Sequence, residues 1–163
     1  MNDTSWADYM HIFLDILSIV VTAVVSIWIV KTVQKKINNQ RSLKDYLISE
    51  LSVTQNEYRE LLSNIGKGKA SPKLLRVEFR KLSNRLGDLM CIINVRYGAI
   101  PSFMNCYQSE LPMIIQDDKN YMNVYRNDSK FTLTPQTTDE LCKFEKKNGH
   151  LFYDLVITIN EAN

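Results

Sequence analysis

The sequence predicts a mostly α-helical protein: one N-terminal transmembrane helix followed by a helical cytoplasmic domain. Three observations predict it. Ile16 to Val30 read ILSIVVTAVVSIWIV, fifteen positions without a charge. All 20 Lys and Arg residues of the 163-residue chain follow that run. Beyond it, apolar residues recur at alternating four- and three-residue spacing, the period of a helix seam.

A helix needs about 20 mostly apolar residues to cross a bilayer core of roughly 30 Å. The charge-free run extends upstream through Ile12, Phe13 and Leu14 and downstream through Thr32 and Val33, with Lys31 able to snorkel. The span is therefore placed at residues 10–32, after a short extracytoplasmic N-terminus at 1–9. Trp28 at one end, and Trp6 with Tyr9 at the other, suit the aromatic belts of the two interfaces. A cleaved signal peptide needs a basic start, and this start has none. Asp3, Asp8 and Asp15 precede Lys31, whereas Lys31, Lys35, Lys36, Arg41 and Lys44 come directly after the span. The positive-inside rule then puts the N-terminus outside and residues 33–163 in the cytoplasm, in a single-pass protein of the cell inner membrane. Residues 31–163 hold 20 basic against 15 acidic residues, a net charge of +5. That length is ample for one domain with its own core.

Val33, Ile37, Gln40, Lys44, Leu47, Leu51, Thr54, Tyr58, Leu61 and Ile65 form one seam on a helix running out of the membrane. Gln40 and Lys44 make its first half polar, so tight packing is expected only from Leu47. Gly66-Lys67-Gly68-Lys69 ends that helix. Ser71 and Pro72 have the N-cap and first-turn pattern of a second, which continues to about Arg96 with a seam at Leu75, Phe79, Leu82, Leu86, Leu89 and Ile93. The two are expected to form a hairpin. Tyr97 to Pro101 breaks the pattern. Residues 102–126 read as two short helical pieces divided near Pro112, and Lys130 to Thr134 as a short strand or an extended connector. Thr134-Pro135 opens a helix to about Lys147, with Asn148-Gly149 as its stop. The last segment, around Leu151 to Ile159, fits a helical face better than a strand.

Catalytic signatures are missing. There are two histidines, His11 at the membrane edge and His150 after a glycine stop, neither with an acid–base partner at a recognised spacing. No Walker loop, HExxH, CxxC or GxSxG occurs. Asp117-Asp118 and Asp139-Glu140 read as solvated caps, not metal ligands. Cys91, Cys106 and Cys142 have no disulfide or zinc spacing and read as buried packing residues in a reducing compartment. The chain is expected not to be an enzyme and to need no cofactor or metal.

The strongest functional signal is electrostatic. Lys67, Lys69, Lys73, Arg76, Arg80, Lys81 and Arg85 stand against a single acidic residue, Glu78, in the same stretch. Lys73, Arg76 and Arg80 share a stripe on the second helix, and Lys67 and Lys69 sit in the loop at its start. Free N–H groups and the helix dipole favour phosphate there. Lys67, Lys69, Lys73, Arg76 and Arg80 are the candidate anion-binding residues, although a solvated face or attraction to an anionic leaflet would give the same pattern. Tyr97, Tyr107, Tyr121 and Tyr125, with Asn94, Asn120 and Asn123, offer stacking faces and amide edges for a base.

With the span at Met10 to Thr32 and a basic helical domain from Lys35 to Asn163, the layout is similar to small membrane effectors of prokaryotic antiphage systems. In size, topology and basic character it resembles the type III CRISPR accessory membrane proteins that bind cyclic tetra-adenylate. The resemblance covers the whole layout and rests on no residue-by-residue motif. It implies a non-enzymatic homo-oligomeric receptor of antiviral defence, with a tetramer favoured because the ring has four phosphates. Binding would reorganise the cytoplasmic bundle and disrupt the lipid bilayer. The alternative is a membrane-anchored helical scaffold that recruits a protein partner.

Overall fold

Helix α1 (Trp6–Gly66) is continuous for 61 residues. No Gly or Pro interrupts it before Gly66, so nothing removes a backbone donor or frees a φ angle along its length. In this computed structural model the backbone is described for residues 6–98 and 101–161, and side chains for 14–98 and 102–161. The side chains of the expected interface residues Trp6 and Tyr9, of His11 and of the upstream extension Ile12-Phe13, and the loop residues Ala99 and Ile100 altogether, lie outside that set. The chain divides into two units, Met1–Leu43 and Lys44–Asn163.

The first unit is helix with no packed face. Every side chain from Leu14 to Ser42 is exposed, and the apolar stretch is long enough to cross a membrane by length and composition. Its hydroxyls bond backwards along the helix. Thr22 Oγ1 donates to Ser18 O at 2.8 Å, Ser26 Oγ to Thr22 O at 2.7 Å, and Thr32 Oγ1 to Trp28 O at 2.8 Å. Such bonds satisfy a hydroxyl where water is absent. Val33 and Ile37, which open the sequence seam, are 50 % and 56 % exposed.

The second unit starts packing at Leu47, where the sequence turns apolar. Leu47, Leu51, Thr54, Tyr58, Leu61 and Ile65 of α1 are all buried. After a turn containing Gly68 (φ +66°), α2 (Pro72–Tyr97) buries Leu75, Phe79, Leu82, Leu86, Leu89 and Ile93. Gly98, in the left-handed region, returns its N–H to Asn94 O and closes that helix. Arg85 of α2 reaches two carboxylates of α1, Glu50 Oε2 and Glu57 Oε1, each at 2.8 Å. These hydrogen bonds, Glu50's before Glu57's, raise the guanidinium pKa further against a smaller opposing effect of burial.

The rest of the domain is short helices around one ring. A 3-10 turn (Pro101–Met104) and a π-turn (Cys106–Glu110) lead into α3 (Leu111–Gln116), then α4 (Lys119–Val124), α5 (Pro135–Asn148) and α6 (Leu151–Glu161). Tyr107, in the π-turn, meets Tyr58, Phe144 and Phe152 at centroid distances of 5.3, 5.2 and 5.0 Å, all edge-on. That geometry favours aromatic contact, and it joins α1, α5 and α6 in one core. Lys44 Nζ donates to Asn160 O in the last turn of α6 at 3.3 Å, a cation at a helix C-terminus.

Several expectations are corrected. Pro112 does not divide the 102–126 segment; it sits in the first turn of α3. The preceding π-turn, closed by Leu111 N–H to Cys106 O, widens the helix where a proline lacks its N–H and crowds the turn before it. The break falls instead at Asp117-Asp118. Lys130 to Thr134 is an extended connector, and among the described residues no strand forms. Cys91 and Cys142 are exposed and Cys106 is half-buried. At 100° per residue, Cys91 lies off the Leu89–Ile93 seam, and Cys142 lies beside the buried Leu141 without sharing its face. Ser71 occupies the N-cap position of α2 but makes no side-chain cap bond, whereas Thr134 does cap α5 through Thr137 N–H. His150 has an acidic neighbour after all, Asp154 one turn on, at 3.6 Å.

Replacing Tyr107 with Ala should destabilise the domain by about 3–5 kcal/mol, as for other large aromatic core truncations. Tyr107→Phe should cost less than about 1 kcal/mol, because its hydroxyl bond to Asn148 O is long at 3.4 Å. Arg85→Ala should cost about 1–2 kcal/mol and Arg85→Lys should restore only part of it, since one ammonium cannot serve both carboxylates in the same geometry. Thermal unfolding of the full chain in detergent micelles measures all four.

Candidate anion-binding site

The start of α2 differs from a free helix N-terminus. Pro72 has no N–H to offer, and the N–H of Lys73 donates to Asp128 Oδ1 at 2.8 Å. Asp128 holds a left-handed backbone (φ +50°), which Asp tolerates better than most residues. A carboxylate of the chain itself thus already lies at the dipole's positive end. The sequence gives no sign of this, since residues 73 and 128 meet only through the fold.

Three cations then project from successive turns of α2. Lys73, Arg76 and Arg80, with Val77, line an open cleft of about 290 Å³. All three are exposed, and none forms an ion pair among the described residues. Arg76 is oriented by a hydrogen bond from Nη1 to the Tyr125 hydroxyl at 2.6 Å. It also forms a wall of a second cleft, about 450 Å³, with Gln116, Asp117, Tyr121, Met122 and Tyr125.

Asp118 holds that second cleft's tyrosines in place. It is 2 % exposed and caps α4 by accepting from Asn120 N at 2.8 Å and Tyr121 N at 3.2 Å. Its other oxygen accepts the N–H and the hydroxyl of Thr134, both at 2.8 Å. Burial acts to raise this carboxyl, but the polar groups around it, of Thr137, Thr134 and Tyr121, outweigh it and hold the pKa below 3.8. One carboxylate therefore starts α4 and anchors the entry to α5, so the cap expected here is buried, not solvated. Tyr121 packs edge-on against Phe131 at 5.5 Å and lies 5.8 Å from the Tyr125 ring. Burial pushes the Tyr121 phenol up; Tyr125 and Asp128 add to this and Arg76 opposes it.

The five sequence-predicted cations do not converge. Lys73, Arg76 and Arg80 share one cleft; Lys69 lines another, of about 470 Å³, beside Glu57, Glu60 and Glu78. Lys67 lines neither. The turn that sets this is closed by Gly68 N to Ile65 O and Lys69 N to Asn64 O, both 2.9 Å, which directs Lys69 towards α1. Arg85 is engaged by Glu50 and Glu57, and Lys81 reaches Glu78 at 3.9 Å. Of the tyrosines, Tyr121 and Tyr125 join the stripe, whereas Tyr107 is core and Tyr97 lies under Lys44 at 6.0 Å. Nothing in the sequence placed Gln116 and Asp117 in one cleft with Arg76. Among the described residues no cluster of His, Cys, Asp or Glu could hold a metal ion.

The chain matches no protein-family model, no curated protein and no solved structure. The fold and the site therefore define a class only: a helical protein that has, among the described residues, one helix apolar enough for a membrane and a basic stripe without ion pairs beside a tyrosine cleft.

Asp118→Asn should lower stability by about 2 kcal/mol, since an amide turns N–H groups towards donors that the carboxylate accepted. The wild-type carboxylate stabilises the fold fully above its unfolded value of 3.8, and that contribution is lost as pH falls through the lower folded value. Unfolding measured against pH should show the gap between wild type and variant closing below about pH 4.

Proposed function

We propose that the protein is a membrane-anchored, non-enzymatic receptor for a phosphate-bearing ligand held by Lys73, Arg76 and Arg80. The observation that supports this most is three exposed cations on one helix face, in no ion pair among the described residues, opening on a cleft beside tyrosines. Lys supplies point charge and Arg a planar fork, which together suit a phosphodiester. The membrane layout it resembles gives the ligand as a cyclic oligoadenylate and the outcome as membrane disruption in antiviral defence. Topology follows from the basic residues after the span: N-terminus outside, helical domain in the cytoplasm, in the inner membrane.

Small-molecule sites usually span roughly 300–1,000 Å³; the cleft of about 450 Å³ falls in that range and the stripe's cleft of about 290 Å³ just below it, room for one nucleotide unit of a ring. A symmetric ring would need several copies, each presenting its own stripe, and a tetramer matches four phosphates.

Binding of cyclic tetra-adenylate to the full chain in detergent micelles, with the linear tetramer as control, tests the reading. The ring should bind more tightly than the linear form, and affinity should fall with rising salt. Arg76→Ala with Arg80→Ala should weaken binding by at least about tenfold, while Lys67→Ala with Lys69→Ala should retain it. No binding by a folded chain, or an equal loss in both double variants, would overturn the assignment.

A further inference from the structure

We infer that the open face of the hairpin formed by α1 and α2 docks a second copy of the chain, with α1 of each copy against α2 of the other. This face is separate from the phosphate stripe, so the inference stands whether or not that reading does. Each hairpin helix carries a second seam beside its buried one. On α1 it runs Tyr46, Glu50, Val53, Glu57, Glu60 and Asn64; on α2 it runs Leu74, Glu78, Lys81, Arg85, Asp88 and Ile92. Both have the alternating four- and three-residue spacing by which one helix meets another. Among the described residues nothing covers them: Tyr46, Leu74 and Ile92 are 55 %, 48 % and 40 % exposed. The short helices pack on the other side, against Tyr58 of α1 through Tyr107 and against Ser83 of α2 through Gln108. At about 100° per residue, Lys73, Arg76 and Arg80 also fall away from this face.

Charge decides how two such faces meet. The charged groups of the α1 seam are all carboxylates, Glu50, Glu57 and Glu60, whereas the α2 seam has Lys81 and Arg85 at its middle. Arg85 bonds Glu50 and Glu57 of its own copy, and Lys81 lines one cleft with Glu57 and Glu60. These groups therefore share the middle of the face. A two-fold axis across the helices would set α1 on α1, carboxylate against carboxylate. An axis along them keeps every residue at its level and sets α1 on α2, so Glu60 meets Lys81 of the second copy, twice per pair. Both are available for this. Lys81 is 62 % exposed and 3.9 Å from Glu78, and Glu60 is in no ion pair among the described residues. Seven residues on from Arg85, Ile92 comes level with Tyr46, which gives the pair an apolar end. The two copies run parallel, as suits chains whose packed halves both begin a dozen residues after a span in one membrane. The face is about 27 Å long and two helix diameters, about 20 Å, wide. A pair then buries on the order of 1,000 Å², the lower bound for a specific interface.

Light scattering of the full chain in detergent micelles, across a range of protein concentrations and with no nucleotide present, tests this. The wild type should form pairs. Glu60→Lys and Lys81→Glu should each weaken pairing by about tenfold without lowering the unfolding temperature, since both side chains are exposed. Mixing the two variants should restore pairing to within about threefold of wild type, because a mixed pair sets opposite charges at both contacts. A repulsion within one copy would not be relieved by mixing. Tyr46→Asp, away from both charges, should weaken pairing to a similar extent, and Arg76→Ala with Arg80→Ala should leave it unchanged. A monomeric wild type, or pairing that Glu60→Lys, Lys81→Glu and Tyr46→Asp all leave intact, would overturn the docking surface. Weakening that mixing fails to relieve would overturn the arrangement of α1 on α2.

Discussion

The helical unit is organised by the buried stripe of α1 from Leu47 to Ile65. Upstream of Leu47 no described residue of the same helix is buried, and downstream every third or fourth residue is in the core. Isolated helices of ordinary length are marginal in water, so a helix in a domain owes most of its stability to one apolar face. That face fixes the rest. Tyr58 places the Tyr107 ring, Tyr107 gathers α5 and α6, and Glu50 and Glu57 fix α2 through Arg85. Since α2 buries its Leu75–Ile93 seam, rotation about its axis is set, and Lys73, Arg76 and Arg80 have no choice but to point outward.

The second constraint is the Asp118 carboxylate. A buried charge is costly unless hydrogen bonds surround it, and here four donors do. They come from both sides of the 120–134 segment. The α4 turn that brings Tyr121 and Tyr125 to Arg76 is therefore held by polar bonds more than by a large apolar surface. Loss of Asp118 should be felt at the tyrosine cleft before it is felt at the Tyr107 core.

Much of the fold is legible in the sequence because helix seams are local. The start of packing at Leu47, the α2 seam, the Thr134 cap and the helical last segment all follow from spacing within one element. What spacing cannot reach is partnership across elements. Arg85 looks like one more cation of the stripe until Glu50 and Glu57 are brought beside it. Lys69 looks like a neighbour of Lys73 until the Gly68 turn directs it to the glutamates of α1. Asp128 and Tyr125 lie some fifty residues from the groups they bond, and no pattern links them. Cys91 and Cys142 are a different case: their exposure follows from the α2 and α5 seams, where register outweighs residue type.

Under the receptor reading, the apolar helix limits how a signal is expressed. A water-filled path needs polar groups to line it, and Ser18, Thr22 and Ser26 are the only regularly spaced ones there. The hydroxyls of Thr22 and Ser26 donate to carbonyls one turn back, which leaves oxygen lone pairs and small side chains at those two positions, not free donors. Such a surface is better suited to close helix–helix packing than to a hydrated pore. Assembly of copies around a ring-shaped ligand would then act by changing how the helices pack, with the lipid around them perturbed as a consequence, and not by exposing a preformed polar channel.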